Sequence, residues 1–331
     1  MAPWAIKVPR KVRLEFCSLC QLDCRDCFMR RRPNEAAEVG LGYLSFANFK
    51  RFIALNPEVE IMEVSNSGEI FLNPDLEKII EYAHQKNITL TAYNGVNFNT
   101  VSESILESLV KYKFYGLTLS IDGSDQKSYV KYRKGGNFEQ VLSNLRRLYE
   151  YKQRYQSYLP LVKWKYVIFP GNDSKETIVR AKHLAEQLGM EIQFDKDYTG
   201  FVPEDLEMIE RETGLIYGVA PENFEKELTF ARDDYFPCFA LWHTPQINWD
   251  GRVFGCCINH QRSFSGNLFE MSLKDYLNAP EMMATRAMLM GGEERPDVFC
   301  KFCNLYRGML ERQDFIKEEE LKKFAAAFAK P

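Results

Sequence analysis

The chain has no long apolar run. Its hydrophobic residues, 45% of 331, fall in strand-sized stretches broken by Lys or Glu, too short to span a membrane. The opening Met-Ala-Pro-Trp-Ala-Ile-Lys-Val-Pro-Arg lacks the apolar centre of a secretory leader. These absences set the expectation of a cytoplasmic protein whose nine cysteines are reduced or ligated. An excess of one charge is missing too. The net charge of −3 gives no sign of a nucleic-acid partner. The distribution is uneven, however: residues 1–32 carry +5 and the rest −8. A basic collar of this kind suits an acidic electron donor or an anionic substrate, or is an ordinary solvated face. No low-complexity tract occurs.

What is present is a dense cysteine run, Cys20-Gln21-Leu22-Asp23-Cys24-Arg25-Asp26-Cys27-Phe28. Three thiolates within eight residues can hold three corners of a cubic iron–sulfur cluster. No fourth cysteine stands at a matching offset, so one iron stays open. An open metal position binds substrate or cofactor, by the logic that separates catalytic from structural zinc. Disulfides suit such tight clustering poorly. A zinc knuckle usually takes four ligands in C-x2-C pairs.

In this C-x3-C-x2-C spacing the chain resembles the radical S-adenosylmethionine (SAM) superfamily. The resemblance implies a 4Fe–4S cluster on Cys20, Cys24 and Cys27 whose open iron chelates SAM. The reduced cluster then cleaves SAM to a 5′-deoxyadenosyl radical, which takes a hydrogen atom from a C–H bond. The protein supplies ligation, orientation and exclusion of side reactions. Phe28, the aromatic just after the third cysteine, falls with the cofactor-binding residues.

Strands and helices alternate from residue 12 to about 195. Val12, Leu14 and Phe16 read as strand one, and strands two to six fall near 59–64, 88–93, 115–121, 162–169 and 191–194. Helices start at Ser45, at Asn73-Pro74, at Ser102, near 137 and near 174. Six β/α repeats allow a barrel or a doubly wound sheet, with sites at the C-terminal strand ends in either. The resemblance selects an α/β fold with a partial (β/α)6 TIM-like barrel over 1–195. A connecting, substrate-lining segment is expected at 196–235, a small auxiliary-cluster domain at 236–310 and a surface helix at 311–331. Leu321, Phe324 and Phe328 are that helix's apolar face.

Further stretches are similar to family elements. Gly68-Glu69, after strand two, matches a Gly-Gly-Glu element that contacts the SAM amino group. Physically, Gly permits close backbone approach and a carboxylate accepts from an ammonium. Ser120 in Ser-x-Asp-Gly, Arg133 in Tyr-Arg-x-Gly and Asn94 of Asn94-Gly95 are placed by the same resemblance at SAM, Arg133 against its carboxylate. Each also has a plain reading: Asn-Gly and Asp-Gly make turns, and an exposed Arg is common.

A second set comprises Cys238, Cys256, Cys257, Cys300 and Cys303. Asp250-Gly251 between Gln246–Trp249 and Val253-Phe254 signals a hairpin. Gly-x4-Cys at Gly251–Cys256 and C-x2-C at 300–303 resemble the C-terminal SPASM or shorter twitch module. That module implies a second, auxiliary 4Fe–4S cluster on Cys238, Cys256, Cys300 and Cys303; a four-cysteine zinc ribbon is the alternative. Cys257 is spare and is the candidate hydrogen-donating thiol if the reaction is an epimerisation. Of four histidines, His243 and His260 flank this set, while His84 and His183 lie on helices.

The resemblance therefore implies an oxidoreductase acting on a small sugar- or amino-acid-like substrate, with the auxiliary cluster taking an electron. A flavodoxin- or ferredoxin-type donor is expected as partner, and no nucleic acid or membrane. Strand one begins too early for a leader-peptide-binding module, which favours a small molecule over a ribosomal peptide. An epimerase or peptide-modifying enzyme is the alternative, and a non-catalytic iron–sulfur or zinc protein the distant one.

Overall fold

Eight strands form one sheet in the computed structural model, which describes residues 6–197, 199–217 and 236–328. Strand β1 (Lys11–Leu14) feeds the cysteine loop, and two short helices follow, α1 (Phe28–Arg31) and α2 (Pro33–Val39). The chain then alternates through α3 (Phe46–Leu55), β2 (Ile61–Glu63), α4 (Leu76–Gln85), β3 (Thr89–Val96), α5 (Glu103–Lys111) and β4 (Gly116–Ser120). Next come α6 (Gln126–Tyr132), α7 (Phe138–Arg154), β5 (Leu161–Ile168), α8 (Lys175–Gln187) and β6 (Glu191–Lys196). Strands β1 to β6 pair in parallel in chain order, and the helices provide the crossovers that parallel neighbours need. This is the partial (β/α)6 barrel that the resemblance selects from the two folds the alternation allows.

Local chemistry sets most helix starts. Ser45, Ser102, Asn137 and Ser174 each accept, through the side chain, a hydrogen bond from the amide of Asn48, Ile105, Gln140 or Thr177. Each cap contributes about 1 kcal/mol. Asn73 departs from expectation: α4 begins at Leu76. The Asn73 Nδ2 donates to the carbonyls of Phe16 and Leu44, both at 2.9 Å. Its Oδ1 accepts from Asp75 N (2.8 Å), so the residue caps the turn that opens α4 and also ties the approach to the cysteine loop to its neighbour.

Alternation along β1 sends Val12 and Leu14 into the core, with Phe49, Phe52, Ile79, Leu117 and Trp164. The other face is polar. Pairing sets Arg13 opposite Glu63, Glu63 opposite Thr91, Ser120 opposite Lys165 and Lys165 opposite Gln193. Paired residues share a face, so one side of the sheet carries the apolar core and the other a row of hydrogen-bonding groups.

After helix α9 (Leu206–Thr213) come the hairpin strands β7 (Gln246–Ile247) and β8 (Val253–Gly255). The hairpin forms at Asp250-Gly251 as predicted, but it is not set apart from the barrel. Strand β7 pairs in parallel with β1, Arg13 with Gln246 and Leu14 with Ile247, giving the order β6-β5-β4-β3-β2-β1-β7-β8. The edge of β1 has unsatisfied amides to cover, and Arg13 N donates to Pro245 O (3.1 Å) and Glu15 N to Ile247 O (2.9 Å). Helices Leu273–Leu277, Pro280–Leu289, Asn304–Arg312 and Glu318–Phe328 complete the chain. Leu321 of the last is buried; the side chains of Phe324 and Phe328, and much of the 196–235 segment, lie outside the described residues. Among those residues no helix is long and apolar enough to cross a membrane.

Candidate functional site

The loop bearing Cys20, Cys24 and Cys27 leaves the C-terminal end of β1 and has little regular structure of its own. Distant backbone and guanidinium groups hold it. Asp23 N donates to Lys134 O (2.9 Å), Arg25 N to Tyr132 O (3.1 Å) and Glu69 N to Leu19 O (2.8 Å). Arg30 donates to the carbonyls of Leu22 (3.1 Å) and Cys20 (2.5 Å), and Arg31 to that of Arg25 (2.9 Å). Part of the basic collar is thus spent on the loop's carbonyls. Cys24 is buried with Leu22, Tyr132 and Phe169, and Cys20 and Cys27 pack against this group. Burial pushes the Cys20 thiol up to about 11, with Glu69, Cys24 and Cys27 adding to the shift. Burial, then Cys24, raises Cys27. Cys20 and Cys27 thus become thiolates readily only beside a positive centre, and a metal deprotonates its ligands outright.

Arg133 sits at this loop. Its Nε donates to Asp122 Oδ2 (2.6 Å), Nη2 pairs with the same oxygen, and Nη1 donates to Cys24 Sγ (3.5 Å). Burial works against its charge, but Asp122 and then Cys24 outweigh burial, so its pKa rises. The resemblance set this fork against the SAM carboxylate; here Asp122 takes it. Asp122 is itself fully buried and accepts from Val167 N (2.8 Å).

Gly68 lies against the cysteine loop. A Cβ there would stand 2.4 Å from the Cys17 carbonyl oxygen and 2.6 Å from that of Leu19, so only glycine fits. Glu69 turns inward. Its Oε1 accepts from Phe71 N (3.3 Å) and its Oε2 from Asn97 N (2.5 Å), and burial raises its carboxyl to about 7. Asn97 Nδ2 in turn reaches Cys20 Sγ (3.7 Å) and Gln21 Oε1 (3.3 Å). Glu69 thus holds the loop that touches Cys20.

Asn94 and Gly95 lie within β3, where the pairing with β4 shifts between Ala92 and Val96. Gly95, at φ +123°, lets the strand pass Ser120: a Cβ would stand 2.3 Å from Ser120 Oγ. Ser120 is buried. Asn94 is exposed, and its Nδ2 donates to Asn66 Oδ1 (3.1 Å), which also accepts from Arg13 Nε (3.1 Å).

The second set gathers beyond β8. Cys238 lies in a 3-10 turn, Pro237–Phe239, and Cys300 in another, Phe299–Phe302. Cys303 begins the helix Asn304–Arg312. Cys238, Cys256 and Cys300 are buried in the core; Cys257 and Cys303 are half-buried. Burial pushes the Cys256 thiol well up, followed by Cys257, Cys300 and Cys303. Burial, then Cys303, moves Cys300 up to about 12. Among the described residues no three His, Cys, Asp or Glu side chains converge on a single-ion centre.

Phe28 joins the two sets. Its ring stacks on His260 at 3.9 Å and 19°. Burial, then Arg32 and Arg13, lowers His260 to about 4. Around the stack, Glu38 Oε1 accepts from Ser263 N (3.1 Å) and Arg252 Nη1 (3.3 Å), and Asn248 Nδ2 donates to Val39 O (2.8 Å). His243 bonds the Leu321 carbonyl (3.1 Å), while His84 and His183 are exposed. Asn97, Asp122 and the Phe28–His260 pairing escape a sequence reading. Asp122-Gly123 carries the signal of a turn, and nothing local marks the others.

An open parallel sheet with a three-cysteine loop at the end of its first strand defines an α/β iron–sulfur protein whose chemistry sits at the C-terminal strand ends. Residues 14–181 match the model of the radical SAM superfamily, and residues 238–304 match that of an iron-sulfur cluster-binding domain, SPASM. The chain belongs to the radical SAM superfamily. With the family and its module come a SAM-binding 4Fe–4S cluster, SAM itself and auxiliary iron–sulfur chemistry. The solved structure of Streptococcus suis SuiB bound to precursor peptide SuiA is similar in fold, with TM-score 0.58, 16% identity and coverage of 92% of this chain and 71% of that one. Native anSMEcpe with bound AdoMet is similar at TM-score 0.57 and 15% identity, over 90% of this chain and 87% of that one. No curated protein matches.

Proposed function

We propose that this radical SAM enzyme is an oxidoreductase acting on a small sugar- or amino-acid-like substrate, from which it removes one hydrogen atom to the adenosyl radical, one electron to the auxiliary cluster and one proton to solvent. In this reading Cys20, Cys24 and Cys27 ligate the first cluster, and Cys238, Cys256, Cys300 and Cys303 the auxiliary one. When bound, the reduced first cluster and SAM supply the radical that takes a hydrogen atom, and the auxiliary cluster supplies the acceptor for the substrate's second electron. The carrying observation is the mutual placement of the two thiol sets. Strand β7 lies directly on β1, and Phe28, next to Cys27, stacks on His260, four residues beyond Cys256.

The chain's own groups divide the work. Gly68 lets the β2 loop approach the cysteine loop, and Glu69 fixes Asn97 against Cys20. Arg133 holds positive charge at Cys24. Ser120 and Phe28 line the region where SAM would lie, with Glu69 and Arg133 behind it. The basic face near the loop suits an acidic flavodoxin- or ferredoxin-type donor. Cys257, beside Cys256, is the residue to watch if the product is an epimer.

A second reading, peptide modification, is favoured by the fold shared with SuiB in its peptide-bound state. Anaerobically reconstituted protein tests the oxidoreductase reading. About eight irons per chain are expected, and Cys256→Ala with Cys300→Ala should remove about half while SAM cleavage under dithionite persists. Zinc in the second set, or a product with an inverted carbon bearing solvent deuterium that Cys257→Ala no longer forms, would overturn it.

A further inference from the structure

We infer that Arg13, Asn66, Asn94 and Gln246 form a subsite for a substrate carboxylate that carries an N–H donor beside it, the chemistry of an acylamino acid or a peptide's C-terminal residue. The inference rests on the radical SAM reading and assigns the substrate, not SAM, to this place.

The four residues come from β1, β3, β7 and the turn after β2: Arg13 and Gln246 stand at one level of the sheet, with Glu63 and Thr91, and Asn66 and Asn94 follow three residues further along, Asn66 meeting Arg13 through its side chain. Arg13 pairs in register with Gln246 on one side and Glu63 on the other. It is half-buried on the polar face. Its Nε is fixed on Asn66 Oδ1 (3.1 Å), and the same oxygen accepts from Asn94 Nδ2 (3.1 Å). Among the described residues no carboxylate lies within ion-pair distance of the guanidinium. Glu63 is the nearest candidate in register, but its oxygens are engaged. They accept from Ser65 Oγ (2.8 Å), Thr91 Oγ1 (2.8 Å) and Tyr93 N (2.9 Å).

Two further atoms lack partners. Asn66 Nδ2 is a buried donor and Gln246 Oε1 a buried acceptor, each without a hydrogen bond among the described residues. Gln246 is only 4% exposed. Leaving such a group unpaired costs about 1–3 kcal/mol, so the arrangement favours a ligand that satisfies both. A carboxylate accepts from Arg13 and Asn66, and an adjoining N–H donates to Gln246. Planar carboxylates match the guanidinium fork. A phosphate dianion matches less well, because it brings no N–H donor for Gln246 Oε1. Arg13 also depresses the His260 pKa, which places its charge near the seam between the two cysteine sets.

Calorimetric titration of the anaerobic, SAM-loaded holoenzyme with N-acetylglycine, N-acetylglycinamide and inorganic phosphate decides the matter. N-acetylglycine should bind at least about tenfold more tightly than either control. Arg13→Gln should weaken it by about tenfold or more, while SAM affinity and background 5′-deoxyadenosine formation change less than about twofold. Gln246→Glu, which adds a repelling charge at the same place, should weaken N-acetylglycine similarly. Absent N-acetylglycine binding, equal binding of the amide, tighter binding of phosphate, or variants that bind like the wild type would each overturn the subsite. Loss of SAM binding in Arg13→Gln would overturn it too, by giving the cradle to SAM's own amino-carboxylate end. A wild type that binds N-acetylglycine as expected but never cleaves SAM under dithionite would count against the radical SAM reading alone.

Discussion

Around the first cysteine set guanidinium and amide side chains reach sulfurs and loop carbonyls; the second set is drawn more from the apolar core. Cys24 takes a hydrogen bond from Arg133 and Cys20 one from Asn97, and Arg30 and Arg31 bind the loop's carbonyls. Burial raises thiols of both sets, Cys20 and Cys27 in the first and Cys256 and Cys300 in the second. Hydrogen bonds and nearby charge set the reduction potential of a cluster held by identical ligands. The first site is thus fringed with donors that favour electron entry. The second is packed into apolar core, where low dielectric disfavours the added negative charge of a reduced cluster.

The largest expected effect comes from erasing one side of this contrast. Replacing Cys20, Cys24 and Cys27 together by Ala should abolish 5′-deoxyadenosine formation and leave about half the iron, read by product assay and iron analysis. Activity surviving that change would mean that the second set, not the first, cleaves SAM.

Arg133→Met sharpens the comparison. It strands the buried Asp122 carboxylate, so it should destabilise the fold by about 3–5 kcal/mol, measured by denaturant unfolding. It should also lower the midpoint potential of the first cluster and leave the second unmoved, read by redox titration with EPR. Adding Asp122→Asn removes the uncompensated carboxylate and should recover part of both the stability and the potential. Equal shifts at both clusters would remove the basis for the contrast.

The smallest effect concerns the strand that carries the first loop. Burial raises the Glu15 carboxyl to about 7. The folded chain therefore keeps a proton that the unfolded chain releases at ordinary carboxylate pH. The stability this confers is intact below the unfolded value and is lost as pH rises through about 7, by at most about 1.4 kcal/mol per pH unit. Thermal unfolding of the apoprotein between pH 6 and 8, intervals taken about the Glu15 value, should show this decline, and Glu15→Gln should flatten it. An unchanged slope in the variant would assign the decline to other groups, Glu69 first, whose carboxyl burial also raises to about 7.

Features that act locally were legible. Ser45 and Ser102 cap their helices because cap and amide lie three residues apart. Asp250-Gly251 makes its hairpin for the same reason. Features that act at a distance were not. Asn73 caps its turn, yet its amide also reaches Phe16 and Leu44. Asp122 resembles a turn residue, yet its carboxylate anchors Arg133 and Val167. Glu69 is found at its motif, but its direction, inward onto Asn97, depends on how the β2 and β3 loops meet.

By itself the sequence determined the alternation of strands and helices, the cysteine spacings and hence the chemistry on offer. Those follow from periodicity and from ligand offsets within a few residues. Tertiary structure alone decided that the second module's hairpin lies on β1, that Phe28 meets His260, and that Arg13 faces unpaired Asn66 and Gln246 atoms. Strand edges, ring faces and buried polar atoms find partners by proximity in space, and residues such as 13 and 246 become neighbours only when the chain is folded.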